Sequence, residues 1–442
     1  MARIYPFRAW RYDPSEVSLG DVVTQPYDKI SPAMQQAYYE KSPYNLVRVI
    51  LGKPEPTDAE TGQTVYSRAA GFLSDWKARG ILKQDGEPSI FAYSQTFTVP
   101  GTNVVKERRG FIALGHVHDY AEKIVYRHEQ TLSKPKGDRL NLLKATRSHF
   151  GQIFMLYSDP AGSVDKILYA APGAPDGEVT DEYNVQHRFW HVSDPTTIKL
   201  LASAMADKKL IIADGHHRYE TALNYSKQHA PTAAVATEND PNALTLAPYP
   251  EAAVMMTFVN MDSDGLVVLP THRVVHSLAG FDQASFLKAA EQYFAVEPLA
   301  EADANTCIER LKASATPAFV AVTKAGAWLL SSKLDVVNAA LAAQPERQRN
   351  LDLTHLHSII LDKLLGLDEE KVREQTNIRY LRSAESAVAQ PRAGQADVTF
   401  LTNPVTMEQL KEVAFAGDVM PQKSTDFFPK LLSGLAIYSL DS

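Results

Sequence analysis

Apolar positions change their spacing several times along this chain, and each change marks a predicted element. Short apolar runs predict strands over 44–51, 151–157, 209–213, 254–260 and 266–269. Segments 89–99 and 106–116 form a predicted strand pair, joined by the turn Pro100-Gly101-Thr102-Asn103. Helical spacing takes over in 59–79, where Val65, Ala69, Phe72, Leu73 and Trp76 fall on one face. It returns in 139–149 with a basic character, and again in 195–206. From Arg218 towards Gln228, Tyr219, Ala222 and Leu223 share another helical face. The later half predicts helices over 281–294, 335–343 and 354–366, with strands over 318–323 and 327–331. Prolines 231, 241, 248 and 250 punctuate a loop or the approach to a domain boundary. The fold class that follows is α+β.

Composition narrows this picture. With 442 residues the chain predicts two domains, and 45% hydrophobic residues suffice for packed cores. The net charge of −7 argues against indiscriminate nucleic-acid binding. Cys307 is the only cysteine, so no internal disulfide can form, as in a reducing cytosol. The amino terminus lacks a secretion-signal apolar core, and no run approaches the ~20 apolar residues of a membrane helix. The expectation is a cytoplasmic protein without a membrane partner.

Chemistry concentrates at Asp214-Gly215-His216-His217-Arg218-Tyr219-Glu220, where a strand is expected to become a helix. Asp214 suits a helix cap and Gly215 a tight turn. Helix-start amides carry partial positive charge, and Arg218 adds a planar fork of donors, so the turn is suited to an anion. An ordinary capped strand-to-helix junction accounts for the same residues. Zinc fits poorly, because the adjacent His216 and His217 point apart and no cysteine partners exist. Acidic candidates for a general base are Asp28, equally a helix cap, and Glu129, equally part of a surface salt bridge with Arg127. Lys134 and Arg139 are candidate phosphate contacts, whereas Lys144 and Arg147 fit a solvated helix face. Thr271-His272-Arg273 follows a predicted strand and can present polar groups to a cleft. His355 and His357, two apart on a helix, cannot share a metal well. Phosphate-loop, dinucleotide-loop and His-Glu-x-x-His motifs are absent.

Six strings occur in one order: Pro6-Phe7-Arg8-Ala9, Gln25-Pro26-Tyr27-Asp28, Pro43-Tyr44-Asn45, Arg127-His128-Glu129-Gln130-Thr131, Ala213 to Ala222, and Met420-Pro421-Gln422-Lys423-Ser424-Thr425. Together they resemble the bacterial and archaeal family of unknown function numbered 1015. The Asp-Gly-His-His-Arg turn also resembles the phosphate turn of the ParB and sulfiredoxin superfamily, nearest to free serine kinases. That resemblance implies a ParB/sulfiredoxin-like mixed-sheet domain over 1–262 and a second α+β domain over 263–442, whose tail either closes the second domain or returns to the first. It implies a nucleotide-dependent phosphotransferase acting on a small hydroxyl metabolite, with L-serine as best guess. ATP or ADP is the implied donor and Mg²⁺ the implied metal. The alternatives are a ParB-like nucleotide-binding regulator without turnover and a phosphometabolite hydrolase. Asp214, Gly215, His216, His217, Arg218, Arg127, Lys134 and Arg139 would bind phosphate or nucleotide. The catalytic candidates read from the residues themselves are Asp28 or Glu129, with His216.

Overall fold

A computed structural model describes residues 1–129, 133–170, 173–231, 245–300 and 303–441, without the side chains of residues 59 and 133–135. The architecture is mixed α+β with several sheets, and the chain forms two compact units. The first comprises Met1–Arg127, Thr131–Val267 and Pro429–Ser442; the second comprises His128–Gln130 and Val268–Phe428. The long stretch of the second unit begins at Val268, and Pro429–Ser442 groups with the first unit.

The first unit is built on a nine-stranded sheet among the described residues. Strand Leu210–Asp214 runs parallel to Val125–Tyr126 and antiparallel to Ile153–Tyr157. Ala253–Asn260 pairs in parallel with Ile153–Tyr157 and antiparallel with Val105–His116. These central strands are buried along almost their whole length, which is why they appear in the sequence as unbroken apolar runs. Helices Pro195–Met205 and His216–His229 contribute Ile198, Leu201, Tyr219 and Ala222 to that core.

A second apolar cluster centres on Trp76, which is buried against Tyr12, Leu73 and Ile50. Here the expected strand over 44–51 is instead the short helix Val47–Ile50. The Asn45 side-chain oxygen accepts from the Val47 amide at 3.0 Å and starts the turn. Leu46, Val49 and Ile50 then reach the cluster at helical spacing. The expected helix over 59–79 is likewise divided, because Gly62 adopts φ +68° and Thr64 opens Val65–Ala78 with a capping box. The basic helix is Ser133–Thr146, and Ser148–His149 pairs with Tyr438–Ser439. Residues 429–441 form a strap across this unit. Trp10 and Ile437 exchange backbone hydrogen bonds at 2.9 and 3.0 Å, and Thr24 bridges Ser433.

The second unit contains an antiparallel six-stranded sheet in the order Phe294–Leu299, Ala327–Ser332, Ala318–Val322, Val398–Leu401, His272–Val275, Ile378–Leu381. Cys307 and Leu311 of helix Ala304–Lys312, with Ala387 and Val388 of helix Ala384–Arg392, share a core with these strands. The single cysteine is thereby buried. The expected helix over 354–366 divides into α-helix Asp352–His355 and π-helix Leu356–Leu364. His355 is a core residue, bonded to Ser332 Oγ at 2.9 Å and to the Arg349 carbonyl at 2.6 Å.

Candidate functional site

The Asp-Gly-His-His-Arg turn lies where the Leu210–Asp214 strand meets helix His216–His229. The register with the neighbouring strand shifts between Ile212 and Asp214, marking an irregular strand end. Gly215 reverses the chain with φ +97°. A Cβ there would stand 3.0–3.2 Å from the Arg218 guanidinium, so the turn needs glycine both for its dihedral and for space.

Asp214 was expected to cap the helix. Its carboxylate instead accepts from Arg218 Nη2 at 2.7 Å and from Lys430 Nζ at 3.2 Å, and the glycine N-cap has no side-chain bond. Two cations outcompete neutral amides for one carboxylate. Burial alone would raise the Asp214 carboxyl. The charges of Lys430, Arg218 and Lys29 outweigh it and hold the group well below the usual carboxylate range. Asp214 is therefore a fixed counter-ion and unsuited to accept a proton.

Arg218 also donates through Nη1 to the Gln152 carbonyl at 2.8 Å. Its Nε is buried and has no hydrogen-bond partner. A Cβ on Gly151 would stand 2.8 Å from Nη1, so that glycine lets the guanidinium lie against the backbone. The guanidinium borders a half-open cleft. Ile50, Leu142, Leu143 and Phe150 supply its apolar lining, and Tyr27, Arg139, His149 and Thr221 its polar one. Arg139 stacks over Tyr27, its guanidinium carbon 3.9 Å from the ring centre, and is held by Asp138 and the Ile50 carbonyl. Burial pushes the Tyr27 phenol up and Asp28 adds to it, while the charges of Arg139 and Arg218 pull against both. Burial pushes His149 down to about 4, so its imidazole is neutral at pH 7. One cleft therefore combines an apolar wall with two guanidinium groups, an arrangement that can hold a planar group bearing an anion.

The sequence candidates distribute unevenly around this cleft. Arg218 and Arg139 line it, while Asp214 and Gly215 stand behind Arg218 and do not line it. His216 is buried and His217 half-buried in the first helical turn, and the His217 carbonyl accepts from Thr221 Oγ1 at 2.8 Å. Asp28 is exposed beside Tyr27 on the 3-10 turn Tyr27–Lys29, 3.7 Å from the Lys29 ammonium. Arg127 lies over the Tyr120 ring and reaches Glu220 at 3.4 Å; Lys136 reaches the other oxygen of Glu220 at 3.1 Å. Lys134 has its side chain outside the described residues. Glu129 belongs to the second unit, where its charge acts on Arg273 and Tyr380. Lys430, Tyr27 and Gly151 were not singled out in the sequence. Tyr27 stood inside one of the six strings, but nothing local tied Lys430 to a residue 216 positions away.

Among the described residues no three His, Cys, Asp or Glu side chains are placed to hold a metal ion. Mg²⁺ requires less, typically one or two carboxylates plus the phosphates it bridges. Asp28, exposed and next in sequence to Tyr27 of the cleft lining, is a carboxylate that suits that use.

A family model described as a protein of unknown function (DUF1015) matches residues 4–354. The chain belongs to this family. The DUF1015 match takes in the anion turn, Asp28 and Arg127 to Thr131, and ends before Met420-Pro421-Gln422-Lys423-Ser424-Thr425. No curated protein matches the chain. Among solved structures, a free serine kinase variant in complex with ADP is 13% identical at a TM-score of 0.34, over 69% of this chain and 84% of that one. A conserved hypothetical protein from Pyrococcus furiosus is 14% identical at a TM-score of 0.34, over 72% and 93%. SbnI with a C-terminal truncation, from Staphylococcus aureus, is 11% identical at a TM-score of 0.35, over 73% and 85%. No helix among the described residues is long and apolar enough to cross a membrane.

Proposed function

We propose that this protein binds a nucleotide in the Tyr27–Arg139–Arg218 cleft and transfers its terminal phosphoryl group to the hydroxyl of a small metabolite, L-serine being the leading acceptor. The reading carries with it a ParB/sulfiredoxin-like first domain and a cytoplasmic location. The observation behind it is Arg218: a guanidinium fixed by Asp214 and the Gln152 carbonyl, with a buried Nε still lacking an acceptor, bordering a partly apolar cleft. Phosphoryl transfer asks a protein chiefly for positioning and positive charge. Arg218, Arg139 and the first-turn amides at Gly215, His216 and His217 supply charge for the phosphates, and the apolar wall suits a base.

In this reading Asp28 accepts the hydroxyl proton while the hydroxyl oxygen bonds to phosphorus. The bridging phosphorus–oxygen bond breaks, and the leaving nucleotide keeps that electron pair. The phosphates would hold Mg²⁺, and the metal would supply charge neutralisation there. His216 is the candidate proton carrier. The test is the purified chain with ATP or ADP, Mg²⁺ and L-serine, assayed for O-phosphoserine. Arg218→Ala should lower kcat/KM by about a hundredfold. No phosphoserine from the unmodified protein removes the kinase reading. Nucleotide binding that persists without turnover and is lost in Arg218→Ala would leave a regulator, a role to which the locked Asp214 carboxylate is equally suited.

A further inference from the structure

Arg273 is fully buried in the second unit, and its partners are neutral. Nη1 donates to the Thr271 carbonyl, and Nη2 to the carbonyls of Gln422 at 3.2 Å and Lys423 at 3.1 Å. Nη2 also lies 3.4 Å from His357 Nε2. Burial and the neighbouring guanidinium push His357 well below its ordinary value, so that ring is neutral and accepts. Arg273 itself is lowered to about 10 by burial, with Tyr380 and Glu129 pulling upward, and so remains charged at neutral pH. Among the described residues no carboxylate comes within about 4 Å of it, the reach of an ion pair. A buried charge without a counter-ion is costly, and natural proteins pair such groups.

Four further observations converge on the same place. Arg273 Nε is buried with no hydrogen-bond partner, and so is the hydroxyl of Tyr380. Tyr380 stands opposite Arg273 across the strand pair, on the same sheet face, with the guanidinium carbon 5.5 Å from its ring centre. His357 comes from π-helix Leu356–Leu364, a rare i→i+5 geometry enriched at functional sites. Lys423, which supplies one carbonyl, adopts φ +56° in a loop that folds back onto the second unit through the Met420–His128 backbone bond.

We infer that the second unit binds a small oxyanion, the carboxylate or phosphate group of a ligand, at Arg273, with Arg273 Nε and the Tyr380 hydroxyl as its donors. The anion would complete the two unsatisfied donors and supply the missing counter-charge. Glu129, beyond ion-pair distance, sits at the edge of this charge pair and would orient the rest of the ligand away from itself. The site lies within the second unit and stands apart from the proposed kinase reading.

The test is a titration of the full chain, ¹⁵N-labelled at arginine, with inorganic phosphate and separately with formate, following the Nε–H resonances. Arg273→Lys identifies the Arg273 signal by its loss. The expected result is a saturable shift of that signal, weakened about tenfold in Tyr380→Phe and retained in Arg218→Ala. Tyr380→Phe preserves the ring that packs on the guanidinium, so it tests the hydroxyl without opening a cavity. Saturation by phosphate alone, by formate alone or by both sorts the ligand into phosphate, carboxylate or either. An Arg273 signal that neither anion moves, or one moved equally in Tyr380→Phe, overturns the inference.

Discussion

Gly215 is the residue on which the anion turn is most sensitive to change. Its φ of +97° disfavours any side chain, and an added Cβ would crowd the guanidinium it adjoins. Gly215→Ala should therefore cost about 1–2 kcal/mol of stability. It should also weaken nucleotide binding, because Arg218 must move; urea unfolding and a binding titration measure the two effects separately. The glycine and arginine were visible in the sequence as parts of one string, and so was the strand-to-helix transition around them. The destination of the Asp214 carboxylate was not visible. A cap is a local property that residue types suggest, whereas an ion pair with Lys430 depends on where a distant segment returns.

At the scale of elements, periodicity served best where an element is buried on both sides or has one clean apolar face. Ala253–Asn260 and Pro195–Met205 match their expected positions within a residue or so. It failed at Val47–Ile50, since a short apolar run has no length to separate strand from helix, and Asn45 decided through its side chain. The π-helix Leu356–Leu364 carries ordinary helical residues, so nothing in its pattern distinguishes i→i+5 from i→i+4 bonding. The strap of residues 429–441 was legible only as a segment that packs somewhere. Its Lys430, with a side chain 7% exposed, neutralises Asp214. Lys430→Met should remove that partner and lower stability by about 2–3 kcal/mol, read as a shift of the urea midpoint at constant slope. An unchanged midpoint would mean that Arg218 alone satisfies Asp214.

On the scale of the whole molecule, the two units should answer acid in opposite directions. In the first, the Asp214 carboxyl is held below its ordinary value, so its stabilisation is present above the unfolded value of about 4 and is lost as pH falls. In the second, burial raises Asp352 to about 6. Its folded form keeps the proton longer than the unfolded chain, so the second unit loses stability as pH rises from about 4 to 6. Asp352→Asn should consequently stabilise at pH 7 by about 2–3 kcal/mol and have little effect at pH 4, a contrast that calorimetry at the two pH values would reveal. The strap has a consequence of another kind. Because residues 429–441 complete a unit whose sheet ends at Asn260, the ribosome must translate the entire second unit before the first can close. Until then the nascent chain exposes the edge awaiting Ile437, and synthesis, rather than equilibrium, sets the interval during which chaperones must shield it.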